Sequence, residues 1–241
     1  MAEEPHPPRH PTTLDEELLE AETTAILSEL TDAQRVLRIQ DELRAGFRTL
    51  DHIGKAVSIF GSARTPRDHP RYQAAREMAR ALGHQGFAII TGGGPGIMEA
   101  ANRGARDAGV PSVGLGIDLP GEQGLNEWVD VELNFHYFFA RKVMFVRYAS
   151  AFVVFPGGFG TLDELFEAAT LRQTGKIRHF PIVLFGSAYW SGLVDWLIGT
   201  MARKGNISLE DAECLLVTDS VSEVLRIVQG AEHRRPRQAA A

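Results

Sequence analysis

A chain of 241 residues, 44% hydrophobic and 23% charged, has the length and composition of one globular domain with an appendage. Its formal charge of -6 argues against a general nucleic-acid binder, and a single cysteine, Cys214, excludes an intramolecular disulfide framework and a Cys-rich zinc site. No apolar run approaches a membrane span and the amino end has no signal-peptide core, so a cytoplasmic protein with no membrane partner is expected. Residues 1–13 are polar, rich in proline and histidine and without periodicity, which predicts a disordered tail whose His6 and His10 are not metal ligands. Over 14–52 apolar residues recur at helical spacing in two runs, from Leu14 to Leu30 and then at Val36, Ile39, Leu43, Phe47 and Leu50. Thr31 and Gln34 form a capping box between them. This predicts a helical hairpin, serving either as packing laid across the main domain or as an oligomer contact.

The main domain is expected over 53–229. Residues 55–60, KAVSIF, read as a strand that ends at Gly61-Ser62-Ala63-Arg64. A helix starting near Asp68 or Pro70 turns Tyr72, Ala75, Met78, Ala79 and Leu82 inward and stops at Gly83 or Gly86. Residues 87–91 form a second strand leading into a triple glycine and a helix over 95–107, and 112–116 form a third. The polar, glycine-rich stretch 117–126 is a candidate active-site loop, 128–133 a fourth strand, and 135–150 a helix with Tyr137, Arg141, Met144 and Tyr148 on one stripe. The apolar run 152–155 is a fifth strand that stops at Pro156-Gly157-Gly158, and after Gly160 and Thr161 the residues Leu162, Leu165, Phe166 and Ala169 take helical spacing. A strand at 180–185, a helix from Trp190 to Met201, a last strand at 214–217 and a closing helix through Val228 complete the domain, with 230–241 a disordered tail. The alternation predicts an α/β fold: a Rossmann-like doubly wound parallel sheet with an N-terminal helical extension. Ligands of such sheets sit beyond the carboxyl ends of the strands, so the loops at Ser62, 92–96, 117–126 and 156–161 should share one cleft.

The glycines of 157–160 sit where a strand hands over to a helix N-terminus, which collects unpaired N–H groups and the positive end of the helix dipole. A phosphate is the ligand this predicts. Gly92-x-Gly94 lacks the third glycine of a dinucleotide fingerprint, because Ile97 stands there, and neither glycine run is followed by Gly-Lys-Ser/Thr. A dinucleotide site and ATP hydrolysis are therefore disfavoured. No His, Cys or carboxylate spacing suggests a metal, and no cofactor is expected.

Pro156-Gly157-Gly158-Phe159-Gly160-Thr161-Leu162-Asp163-Glu164 resembles the PGGxGTxxE motif of the LOG ("lonely guy") family, the cytokinin riboside 5'-monophosphate phosphoribohydrolases. Gly92-Gly93-Gly94-Pro95-Gly96-Ile97-Met98-Glu99-Ala100 resembles that family's GGGxxGxM motif, and the similarity covers about 56–229. The resemblance implies cleavage of the N-glycosidic bond of AMP or an N6-modified adenosine 5'-monophosphate, giving free base and ribose 5-phosphate. Such a cleavage builds positive charge on the ribose, which a carboxylate stabilises. Glu164 is the candidate to face C1', whether by orienting water, stabilising the cation or attacking directly. Arg141-Lys142 matches an Arg-Lys pair that precedes the family's PGGxGTxxE, which makes Arg141 the second catalytic residue and Lys142 a substrate contact. Asp163 reads as a helix-dipole partner.

Gly157, Gly158, Phe159, Gly160 and Thr161 would form the phosphate cradle, with Gly94 in the second loop, Glu99 on ribose hydroxyls and Ser62 as a further phosphate candidate. Glu122 and Thr170 are candidate base contacts. The N-terminal hairpin resembles that of the extended type of the family, which implies a homo-oligomer, a dimer or dimer-based hexamer. The competing classes are a non-catalytic nucleotide or molybdenum-cofactor carrier and a general purine nucleotide nucleosidase. A carrier has no evident need of the Arg141 and Glu164 pair. Proteins of this family have also been labelled lysine decarboxylases, yet no lysine here stands in a recognisable pyridoxal-phosphate setting.

Overall fold

The computed structural model describes residues 10–20, 30–119 and 124–232. Two helices precede the sheet, α1 (Leu14–Glu20) and α2 (Asp32–Leu50). The expected capping box opens α2: Gln34 N–H donates to the Thr31 hydroxyl at 3.4 Å, and Thr31 N–H donates to the Gln34 side chain at 2.8 Å. Part of the expected first helical run, residues 21–29, lies outside the described residues.

The described residues form a seven-stranded, wholly parallel sheet from β1 (Ala56–Phe60), β2 (Ala88–Thr91), β3 (Ser112–Ile117), β4 (Val131–Phe135), β5 (Ala149–Val154), β6 (Ile182–Phe185) and β7 (Leu215–Thr218). Their spatial order is β4-β3-β2-β1-β5-β6-β7. The helices between them are α3 (Pro70–His84), α4 (Ile97–Ala108), α5 (Phe138–Tyr148), α6 (Phe159–Gln173), α7 (Ser187–Trp196), α8 (Leu209–Glu213) and α9 (Val221–Glu232), with α7 running on as a π-helical stretch to Ala202. Every residue of β1, β2 and β5 is buried, as expected for strands covered on both faces.

Side chains alternate between two cores. Ala56, Phe60, Phe152 and Val154 face one core with Leu50 of α2, Phe145 of α5, Leu165 of α6 and Trp190 of α7. Phe60 meets Phe145 and Phe152 edge-on there, at 4.9 and 4.7 Å between ring centres. Val57, Ile59, Ala151 and Val153 face the other core with Tyr72 and Met78 of α3, Ile97 and Ala101 of α4 and Val224 of α9. The crossover from β1 through α3 thus covers one face and that from β5 through α6 the opposite face. β1 and β5 are neighbours, so the crossovers diverge between them and a crevice opens at their carboxyl ends.

The structure moves several expected boundaries. The helix expected over 135–150 spans only 138–148, because Phe135 pairs with Ile117 in the β3–β4 ladder and Ala149 already belongs to β5. β4 accordingly lies at 131–135 instead of 128–133, since Trp128 donates its N–H to Asn126 Oδ1 in a turn. α6 starts at Phe159, so Asp163, expected as a dipole partner in the first turn, lies in the second. A short helix, α8, was not anticipated; Ser208 and Asp211 cap it reciprocally. α9 runs to Glu232, past the tail expected from 230, because Ala231 is buried and Glu232 accepts the Ser150 hydroxyl at 2.9 Å.

Candidate active site

The crevice is assembled by main-chain bonds between loops that leave different strands. Phe155 N–H donates to Phe60 O at 2.8 Å, Ser62 N–H to Pro156 O at 3.0 Å, and Ile97 N–H to Ser62 O at 3.1 Å. Ser62 therefore joins the exits of β1 and β5 to the start of α4, and its hydroxyl accepts from Arg64 N–H at 3.1 Å. Gly157 packs so closely on Thr161 that a Cβ would overlap the threonine side chain, which fixes glycine at that position. A Cβ on Gly158 or Gly160 would instead meet nothing within 4 Å, so that side of the loop is open. Gly158 caps α6 without any side-chain bond, leaving the first N–H groups of the helix for a ligand or solvent. Thr161 is buried in this first turn, and Phe159 projects from it with 92% of its surface exposed. The Gly157 carbonyl is held by the Tyr189 hydroxyl at 2.6 Å.

Glu164 lies one turn further along α6 and is only 6% exposed. Burial pushes its carboxyl pKa up from 4.5 to about 7; the charges of Arg141 and Lys142 oppose that rise, while Glu167 and Asp163 add to it. Arg141 comes from α5. Its Nε donates to Leu115 O within β3 at 2.7 Å, and the guanidinium lies 5.1 Å over the Phe145 ring. A Cβ on Gly92 would overlap Arg141 Nη2, so the glycine gives the guanidinium its place beside the loop after β2. Two helices, a strand and a glycine loop thus bring a buried carboxylate and a fixed guanidinium to the same end of the sheet. Lys142, the neighbour of Arg141, turns instead to α6: its ammonium is 2.7 Å from Asp163 and 3.1 Å from Glu167. Burial works against that charge, yet the two carboxylate bonds outweigh it and raise the Lys142 pKa. Asp163, expected only as a dipole partner, is thus the lysine's ion-pair partner.

Glu99, in the first turn of α4, is buried and already engaged. Its Oε1 accepts from the Tyr72 hydroxyl at 2.7 Å and sits 2.7 Å from Arg67 Nε. Arg103 in turn donates to the Tyr72 hydroxyl at 3.1 Å. Gly94 packs against Met98, whose Cε would be 2.7 Å from an added Cβ. The Thr170 hydroxyl donates back to Phe166 O at 2.8 Å, and with Lys142, Phe159, Leu162 and Phe166 the residue lines a surface groove of about 520 Å³. Glu122 lies outside the described residues. No group of three His, Cys, Asp or Glu side chains suited to a metal occurs among the described residues. None of their helices is long and apolar enough to cross a membrane.

Sequence reasoning missed the polar frame beneath the triple glycine. Asn126 Nδ2 donates to Gly93 O, Gly94 O and Asn102 Oδ1 at 2.9 to 3.0 Å. Asn102 also accepts from the Thr91 hydroxyl at 2.7 Å and donates to the Ser112 hydroxyl at 2.9 Å. The available signal was Asn102 itself, a polar residue among the buried alanines and glycine of α4. Tyr72 and Arg67 had no signal, since an inward tyrosine reads as packing and a loop arginine as solvated.

The family model described as possible lysine decarboxylase matches residues 98–228. A cytokinin riboside 5'-monophosphate phosphoribohydrolase of Mycobacterium tuberculosis is 32% identical over 176 residues, covering 70% of this chain and 91% of that protein. A bifunctional cytokinin biosynthesis protein of Fusarium pseudograminearum is 27% identical over 71% of this chain, which spans only 39% of that relative's length. Among solved structures, the molybdenum cofactor carrier protein of Chlamydomonas reinhardtii shares the fold, with a TM-score of 0.56 and 21% identity over 75% of this chain and 99% of that one.

Proposed function

From the premise that this chain belongs to the LOG/lysine decarboxylase-like family, we propose that it hydrolyses the N-glycosidic bond of an adenosine 5'-monophosphate, N6-modified or plain, to free base and ribose 5-phosphate. The observation that carries the reading is the buried Glu164 carboxylate set within reach of the Arg141 charge, behind the open glycines that start α6. The monophosphate is held by the N–H groups at that helix start and by Thr161, where the dipole favours an anion. Ribose C1' then faces Glu164. As the C1'–N9 bond breaks, positive charge spreads over C1' and the ring oxygen, and an ionised carboxylate in a dry site stabilises it far more than one in water. Water supplies the hydroxyl that bonds to C1', and its proton ends on the departing base nitrogen. Arg141 is clamped through Nε on the Leu115 carbonyl, which fixes its guanidinium beside the crevice as a positive charge.

A decarboxylase reading fits less well. Lys142 is held charged by Asp163 and Glu167, which is the opposite of what an imine-forming lysine needs. Incubation with AMP and with isopentenyl-AMP, following free base and ribose 5-phosphate, tests the proposal. Release from either nucleotide, abolished in Glu164→Gln with nucleotide binding kept, supports it. Tight binding with no release from either would replace the enzyme by a carrier. Adenosine should be turned over far more slowly than AMP, because the cradle at the start of α6 holds the phosphate. We also propose that the protein acts as a homo-oligomer, supported by the exposed Phe138, Phe139 and Val143 along α5 and Phe159 at the start of α6.

A further inference from the structure

Arg141 and Lys142 are the fourth and fifth residues of α5, and cations so near a helix N-terminus stand against the positive end of its dipole. The helix has no remedy of its own. Its N-cap, Tyr137, makes no side-chain cap bond, and its first turn contains no acid. The N-terminal helices supply both missing features from far away in sequence. Asp15 of α1 accepts the Phe138 N–H at 3.1 Å. Glu42 of α2 accepts the His136 N–H at 2.9 Å, and the same oxygen lies 2.6 Å from His136 Nδ1. Tyr137 between them is buried, and Arg38, Glu42, Glu17 and Asp15 all act on its hydroxyl. Further along, Gly46 lets α2 approach Met144, whose Cε would stand 2.6 Å from an added Cβ, and the Phe47 carbonyl accepts the Tyr148 hydroxyl at 3.3 Å.

We propose that Asp15 and Glu42 are positioning residues that cap α5 from outside, so that Arg141 stays locked on the Leu115 carbonyl and turned toward Glu164. The N-terminal helices are then part of the working site without touching a ligand. They carry the negative charge and the hydrogen-bond acceptors that a helix with two cations at its start cannot carry itself. Burial of Asp15 raises its pKa, a cost which the Phe138 N–H bond partly offsets. The kinetic part of the proposal rests on the phosphoribohydrolase reading, and the binding part does not.

The test compares the full chain with Asp15→Ala/Glu42→Ala and Asp15→Asn/Glu42→Gln. The first pair removes the caps; the second keeps an acceptor at each place. With alanines, kcat for base release from AMP should fall about tenfold while KM moves less than about twofold, the size expected for a small misplacement of a catalytic group. The acid limb of kcat/KM should also move up, because Glu164 is faced by Arg141 and Lys142 of α5 and by Asp163 and Glu167 of α6, and only the two cations are loosened. The Asn/Gln pair should recover most of the rate. A lowered melting temperature with kcat, KM and the pH limb unchanged would overturn the proposal. Should the parent chain release no base, the phosphoribohydrolase reading fails, and AMP binding with amide exchange over 136–142 decides this one: faster exchange with weaker AMP binding upholds it, and unchanged binding overturns it. If the alanine pair does not fold, Asp15→Ala alone against Asp15→Asn gives the same comparison.

Discussion

With its pKa pushed up to about 7, the Glu164 carboxyl is about half ionised at neutral pH, and on the proposed function this ties activity and stability to the same proton. In the unfolded chain the group titrates at its ordinary 4.5. Between those two values the folded chain holds a proton that the unfolded chain has lost, so stability is full below 4.5 and falls as pH rises through about 7. The shift corresponds to roughly 3 kcal/mol. Glu164→Gln, which mimics the neutral form, should therefore raise the melting temperature at about pH 8.5 and leave it nearly unchanged at about pH 4.5, a contrast that thermal denaturation at the two values reads directly. On the proposed function, with the carboxylate as the active form, kcat/KM for AMP should rise with pH through about 7 on the parent chain, as a pH–rate profile would register. Glu164 and Arg141 could be picked out of the sequence because each stands in a recognisable local pattern. The partners of Glu99 could not: Tyr72 and Arg67 reach it from another helix and a loop, and nothing in their own neighbourhoods marks them.

Strands and helices inherit their limits from competition between neighbours. The aromatic stretch from Phe135 to Tyr148 suits strand and helix alike, and periodicity extended the helix over both ends, whereas in the fold the sheet claims Phe135 and Ala149 by ladder pairing. The elements themselves, and the glycine loops that join them, were legible because β-branched runs, glycine stops and amphipathic spacing all agreed. The frame under the second loop was not, because it depends on a tertiary meeting of Asn126, Asn102, Thr91 and Ser112. Asn126→Ala should leave the Gly93 and Gly94 carbonyls without their side-chain donor, costing about 2 kcal/mol of stability. On the proposed function, in which the loop holds ligand rather than reacting atoms, it should also raise KM for the nucleotide more than it lowers kcat. Denaturant unfolding and steady-state kinetics on the one variant check both.

At the scale of the molecule, the doubly wound order places one crevice at the centre of the sheet, and alternating strands and helices were enough to foresee it. How the chain covers its outer surface is less legible, because an apolar residue on a helix reads as core whether or not anything packs over it. Phe139 and Val143 on α5 are exposed, and the homo-oligomer proposed above would cover them. Phe139→Asp with Val143→Asp should reduce the mass in solution to that of a single chain, with the far-UV circular dichroism unchanged. Light scattering coupled to size exclusion would show it.

The central pairing has a further effect on how the protein comes into being. β1 and β5 lie side by side, yet the whole of the chain from α3 to α5 separates them in sequence. Joining them means closing a long loop, which is slow for an unassembled polypeptide. No partly made chain that stops short of β5 has the crevice at all. On the proposed function, a nucleotide therefore cannot serve as a template for early collapse; it would bind only once both halves have met, and would then oppose the opening of the entire sheet at once.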